Sequence, residues 1–272
     1  MGERTTLQID GLTLTRVLYA DVMIPPEAGG LTVADVQSVR WRSPEWASDT
    51  EFGASASAWI VESENRRIVL EPLQAADDVL HDPAAGSLHT DAFVELMARE
   101  GFPVETIDTV LISHIESIGM MGRRDDAGEW VPVFPNARIV IPRASLDEFE
   151  REPREFPATA VWRKFIETGL VDTIEGGTEV VPGMTAELTG AHNPGHTVFH
   201  FGAGPVATWV GHLAVSPLHL ATGLCPQQHP EPERAWEILR GFRDDGRILL
   251  GPLWPSPGVG RWQDGSFEAG YG

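Results

Sequence analysis

The sequence predicts a single α/β domain spanning residues 1–272. Two strand-rich stretches, residues 7–141 and 179–250, are interleaved with amphipathic helical segments. At 272 residues with 42% hydrophobic content, the chain can bury one substantial core. The first ten residues hold no apolar signal core, and no apolar run approaches membrane-spanning length.

Taken in order, residues 7–24 alternate at Leu7, Ile9, Leu12 and Leu14, then turn apolar through Val17, Leu18, Val22, Met23 and Ile24, which reads as strands. Residues 25–57 are punctuated by Pro, Gly and Ser and carry Trp41, Trp46 and Phe52. They read as a long loop, either a lid or binding wall or a set of aromatic plugs over a sheet end. Residues 58–71 read as a hairpin. Asp91 to Glu100 form an amphipathic helix stopped by Gly101. Strands are predicted at 107–112 and 138–141. A helix capped by Ser145 follows over 145–150, and another around Trp162–Ile166, interrupted upstream by Pro153 and Pro157. Strands are then predicted at 179–181, 185–188, 197–201 and 207–210. A helix from Glu233 to Phe242 and a last strand at Ile248–Leu250 complete the set.

Twenty Lys and Arg stand against forty Asp and Glu, a net charge of −20. Such a surface attracts neither nucleic acid nor an anionic membrane. The expected partner is a small molecule, neutral or cationic, and a homodimer is an open option for the assembly. The single cysteine, Cys225, excludes an internal disulfide and suits a reducing compartment, so a cytoplasmic location is expected. Beside Pro226 and without an activating neighbour in sequence, Cys225 is a poor nucleophile.

The chemistry concentrates after the strand at 107–112. Val110-Leu111-Ile112 runs into Ser113-His114-Ile115-Glu116-Ser117-Ile118-Gly119-Met120-Met121-Gly122. An apolar strand that delivers a His and a Glu onto its C-terminal loop presents both to a pocket. Further on come Thr189-Gly190-Ala191-His192-Asn193-Pro194-Gly195-His196, then Trp209-Val210-Gly211-His212, then Leu253-Trp254-Pro255-Ser256-Pro257-Gly258.

These segments, with Val131-Pro132-Val133-Phe134-Pro135-Asn136-Ala137 between the first two, resemble in order the landmarks of the metallo-β-lactamase superfamily and its lactonase-like branch. The resemblance covers nearly the whole chain. It implies an αββα sandwich, two mixed sheets face to face with helices outside. The superfamily's first motif is Ser/Thr-His-x-His-x-Asp-His-x-Gly-Gly. Here its second His is Glu116, its Asp is Ile118 and its last His is Gly119. An Asp that follows an earlier strand in the family stands as Glu71, followed by Pro72 and Leu73.

Carried over residue by residue, the family's first metal position falls on His114, Glu116, His192 and His212, all able to bind a cation. Three imidazoles and a carboxylate suit one ion of Zn, Fe, Mn or Ni. The second position falls on Ile118, Gly119, His212 and Leu253, and three of these have no donor side chain, so dinuclear zinc is not expected. The implied activity is hydrolysis of a lactone or other ester of a small hydrophobic molecule. Without metal, the same four residues could run acid–base chemistry as a lyase, cyclase, dehydratase or isomerase of secondary metabolism. A non-catalytic binding protein is the third reading.

Around this centre, Trp254, His219, Leu253 and Ile118 are the expected substrate-binding residues. Trp254 stands one residue beyond the lost His position, where it would fill the second metal's space. His219 stands where the lactonase-like branch often has Gln. His196 is expected to orient its neighbours, His200 to lie exposed or cross-strand, and His81, His89 and His229 to lie at the surface. Glu116 has a bland alternative, an ion pair with Arg123 or Arg124, and His212 could equally be satisfied by backbone.

Overall fold

A computed structural model describes residues 5–41, 46–72, 83–116, 121–152, 158–226 and 230–270, with backbone alone over 83–89. Ile118 and Gly119, together with Leu73, His81, Pro153, Pro157, His229 and the side chain of His89, lie outside the described residues.

The first half builds one seven-stranded sheet. Its strands, in chain order, are β1 (Thr6–Ile9), β2 (Leu12–Ile24), β3 (Phe52–Glu62), β4 (Arg67–Leu70) and β5 (Thr109–Leu111). A two-stranded ribbon, β6 (Gly122–Arg124) and β7 (Trp130–Pro132), interrupts before β8 (Arg138–Pro142) and β9 (Val171–Ile174) complete the sheet in the order β1-β2-β3-β4-β5-β8-β9. β1 to β4 pair antiparallel, and β4, β5, β8 and β9 run parallel. Parallel neighbours need a crossover. Helix α2 (Pro83–Arg99) makes the first, after the short α1 (Val33–Ser38), and α3 (Arg143–Arg151) with α4 (Thr159–Glu167) lie in the last.

The second half builds the other seven-stranded sheet from β10 (Glu179–Val181), β11 (Met184–Leu188), β12 (Thr197–Phe201), β13 (Ala207–Trp209), β14 (Ile248–Leu250), β15 (Val259–Gln263) and β16 (Ser266–Ala269), paired in chain order. Only β13 and β14 are parallel, and α5 (Leu218–Thr222) and α6 (Pro232–Asp244) cross between them.

Side-chain alternation explains the layers. Leu111 faces the opposite sheet while its neighbours Val110 and Ile112 face the helices. Leu14, Trp59, Leu70 and Leu111 of one sheet meet Met184, Phe199, Trp209 and Ile248 of the other. Phe93, Met97, Trp162 and Phe165 cover the outer face of the first sheet, and Leu239 and Phe242 pack among Val198, Val210 and Leu249 of the second. The architecture is an αββα sandwich. Among the described residues, no helix is long and apolar enough to cross a membrane.

Three expectations need correction. The stretch 25–57 is not a continuous loop: Thr32 caps α1 through a reciprocal pair of hydrogen bonds with Asp35, and β3 begins at Phe52. The segment Gly53–Ser57 lacks β-branched residues because both of its faces are covered, where small side chains fit. Ser145 does not cap a helix. It lies inside α3, whose cap position is Pro142, and its hydroxyl accepts the Ile115 N–H at 2.7 Å. Ile248–Leu250 is not the last strand, because β15 and β16 follow.

Candidate metal and acid–base centre

The four expected donors meet at one edge of the sandwich, two from each sheet. His114 and Glu116 follow the carboxyl end of β5, and His212 sits in a 3-10 turn after β13. His192 lies in the loop between β11 and β12. The carboxyl ends of parallel strands are the usual place for such loops. The two sheets are tied here directly, by the Thr197 N–H donating to the Ser113 carbonyl at 3.1 Å.

Two glycines permit the approach. A Cβ on Gly195 would lie 2.3 Å from Ser145 Cα, so this loop packs backbone to backbone against α3. Gly211 has a φ of 56°, and a Cβ there would fall 2.5 Å from His196 Nε2. That closeness lets the His212 N–H donate to His196 Nε2 at 3.1 Å. The acceptor role fixes the proton of His196 on Nδ1, which donates to Thr189 Oγ1 at 2.8 Å. His196 therefore orients the turn that carries His212.

Glu116 occupies the middle. Its Oε2 lies 2.8 Å from His114 Nε2, 2.9 Å from His212 Nδ1 and 3.9 Å from His192 Nε2. Its carbonyl accepts Trp162 Nε1–H at 3.2 Å. The His114 ring centroid is 4.8 Å from that of His192 and 5.0 Å from that of His212. One donor atom from each of the four residues falls within 4.8 Å of the other three. Arg123 instead pairs with Asp91 at 3.6 Å, and Arg124 stacks over Trp130, so neither explains Glu116.

Burial would raise the Glu116 carboxyl, but His212, His114 and His192 together hold it well below the usual carboxylate range. The converse holds at His212. Burial opposes its charge, yet Glu116 pushes its imidazolium up to about 9. His114 is pushed down to about 4 by burial, and His192 is lowered for the same reason. The centre thus carries one carboxylate, one imidazolium and two neutral imidazoles.

Other expected residues lie outside this cluster. Trp254 is fully buried in the layer between the second sheet and its helices, edge-on to Phe267, with Nε1–H on the Ala214 carbonyl at 2.7 Å. That side chain is core. Leu253 is half-buried, and its carbonyl accepts the Ser55 N–H. His219 is fully buried in α5, where Nδ1–H donates to the Leu224 carbonyl at 2.8 Å and burial pushes it down to about 4. His200 bridges strands between Thr208 and Glu187. Burial pushes the Cys225 thiol up to about 12, which suits an inert cysteine. Sequence reasoning placed Glu71 at the position of the family's Asp but gave no role to Ser113 and did not foresee their contact. Ser113 Oγ lies 2.7 Å from Glu71 Oε1 and 2.8 Å from His114 Nδ1.

Comparison with solved structures places the architecture. The chain superposes over its full length on the hydrolase AbOPH of the β-lactamase superfamily, with a TM-score of 0.73 and 16% identity, covering 99% of that chain. It has the metallo-β-lactamase fold. Two further matches are nearly as extensive. AidC, a dizinc quorum-quenching lactonase, matches with a TM-score of 0.71 and 16% identity over 97% of this chain and 96% of its own. A probable metal-dependent hydrolase from Staphylococcus aureus matches at 0.72 and 16%, over 97% and 98%. Sequence comparison is silent: no family model and no curated protein matches.

Proposed function

We propose that this chain is a hydrolase of a lactone or other ester of a small, fairly hydrophobic molecule, with a centre for at most one transition-metal ion. The observation that carries this reading is the convergence of three imidazoles and one carboxylate, with donor atoms within 4.8 Å of one another, at the loop edge of a metallo-β-lactamase fold. That donor set fits a single ion of Zn, Fe, Mn or Ni, held by His114, Glu116, His192 and His212. A second ion is not expected, because Ile118, Gly119 and Leu253 offer no side-chain donor. When bound, such an ion supplies Lewis acidity for an ester carbonyl and lowers the pKa of water.

The protein's own groups divide the remaining work. Glu116 is the most exposed of the four, with 44% of its side chain accessible, against 1% for His114, 9% for His192 and 12% for His212. It is the donor best placed to swing toward substrate and take a proton from water. When no ion occupies the centre, His212 pairs with Glu116 at 2.9 Å as an imidazolium and can give a proton to a leaving group; when the centre holds an ion, His212 is neutral and only a ligand.

A second reading has its own support. Glu116 Oε2 already sits where the imidazoles converge, and the Glu116–His212 pair balances charge without a cation. On that reading the chain is a metal-free lyase, cyclase or isomerase of secondary metabolism, with Glu116 as base and His212 as acid. Elemental mass spectrometry of protein purified without affinity tag or chelator separates the two. Near one equivalent of metal, lost in His192→Ala, supports the hydrolase. Less than about a tenth of an equivalent, unchanged after soaking in Zn, Mn or Fe, overturns it and promotes acid–base catalysis.

A further inference from the structure

Beyond β5, residues 112–116 form no regular secondary structure, so their backbone groups need partners from elsewhere. Two side chains of the outer helical layer supply them. The Ile115 N–H donates to Ser145 Oγ at 2.7 Å, and the Glu116 carbonyl accepts Trp162 Nε1–H at 3.2 Å. Ser145 lies on α3 and Trp162 on α4, 30 and 46 positions further along the chain. Both are buried, and Trp162 packs in the core layer between the first sheet and its helices. The anchors are therefore as rigid as that layer.

A buried indole N–H takes a partner where it finds one. Yet Trp59 and Trp209, equally buried, leave theirs unpaired among the described residues. The bond from Trp162 is thus not a general feature of buried indoles in this chain, and it falls on the residue at the middle of the centre. The same helix also meets the chain at Gly122, where a Cβ would lie 2.8 Å from Val161 Cγ1. Against this fixed backbone stands a free end, because 44% of the Glu116 side chain is accessible. A proton carrier needs both properties, reach at the carboxylate and no drift at its base. Displacing a reacting group by about 1 Å can cost about 100-fold in rate.

We infer that Trp162 and Ser145 are positioning residues, which pin the backbone of Ile115 and Glu116 so that the Glu116 carboxylate works from a fixed base. This inference rests on the reading above that Glu116 is the working carboxylate. It applies with or without an ion in the centre.

The test uses the full chain, treated with chelator and labelled with ¹⁵N-histidine, by NMR at pH 7. The ring protons that His114 Nε2 and His212 Nδ1 donate to Glu116, across 2.8 and 2.9 Å, should give low-field signals, which Glu116→Gln assigns by moving them. Trp162→Phe keeps a ring in the layer and removes the donor. Ser145→Ala removes the acceptor. Phe93→Leu, in the same layer, removes packing and no hydrogen bond. Loss or upfield shift of both signals in Trp162→Phe and in Ser145→Ala, with both kept in Phe93→Leu, is the expected result. Signals unchanged in either clamp variant, or lost in all three proteins, would overturn the inference. Signals that ignore Glu116→Gln would instead overturn the pairing of Glu116 with the imidazoles, and with it the catalytic reading. Amide exchange of Ile115 then decides for the clamp. Faster exchange in Trp162→Phe than in Phe93→Leu supports it, and equal exchange sinks it.

Discussion

Nδ1 of His212 lies 2.9 Å from Glu116 Oε2, and each residue holds the other in its charged form. The folded imidazolium titrates at about 9, above the ordinary 6.5. A raised pKa contributes stability that is complete below 6.5 and is lost as pH rises through 9. Chelator-treated protein should therefore melt at progressively lower temperature from pH 6.5 to 9.5. His212→Gln should lack that alkaline slope. Thermal scans of both proteins across this window test the pairing, and parallel curves would refute it.

Glu116→Gln keeps the shape of the side chain and removes the charge at the centre. On either catalytic reading, turnover should fall by more than about 100-fold. Chelator separates the readings. The hydrolase loses activity on treatment and regains it with one equivalent of metal, whereas the acid–base enzyme is indifferent.

Trp254→Ala should destabilise the fold by about 3–5 kcal/mol, since the indole is fully buried and hydrogen-bonded to Ala214. Denaturant titration measures this directly. A loss below about 1 kcal/mol would show that the layer repacks around the gap.

Gly195→Ala would press a methyl group into the Ser145 backbone at 2.3 Å. Overpacking of this kind costs about 1–3 kcal/mol. The same shift should disturb the hydrogen bond from Ile115 to Ser145, and with it the placement of Glu116. Lower stability together with weaker metal uptake is the expected pair of results. Wild-type values for both would mean that the loop moves aside freely.

Much of this centre is legible in the sequence, because His114, Glu116, His192 and His212 each follow or precede an apolar strand that fixes where they emerge. The contact of Glu71 with Ser113 is not. The two stand 42 positions apart, and the left-handed turn at Glu71 leaves no mark in the sequence. Trp254 misleads for the opposite reason. Its neighbours in sequence point to the loop edge, but the ring turns into the layer shared with Ala214 and Phe267. Early β3 escapes notice because Gly53–Ser57 is too small in side chain for propensity to register, although burial on both faces suits such residues. β15 and β16 hide behind glycines. Gly260, for example, is required because a Cβ there would lie 2.2 Å from the Glu268 carbonyl oxygen.

His114 and Glu116 belong to the half of the chain before residue 175, and His192 and His212 to the half after it. The backbone passes between the two sheets once, between β9 and β10. Whatever fills the centre therefore acts as a staple across two lobes that share little covalent connection. Because the two halves already share one inter-sheet core, loading the centre should raise the temperature of their common melting.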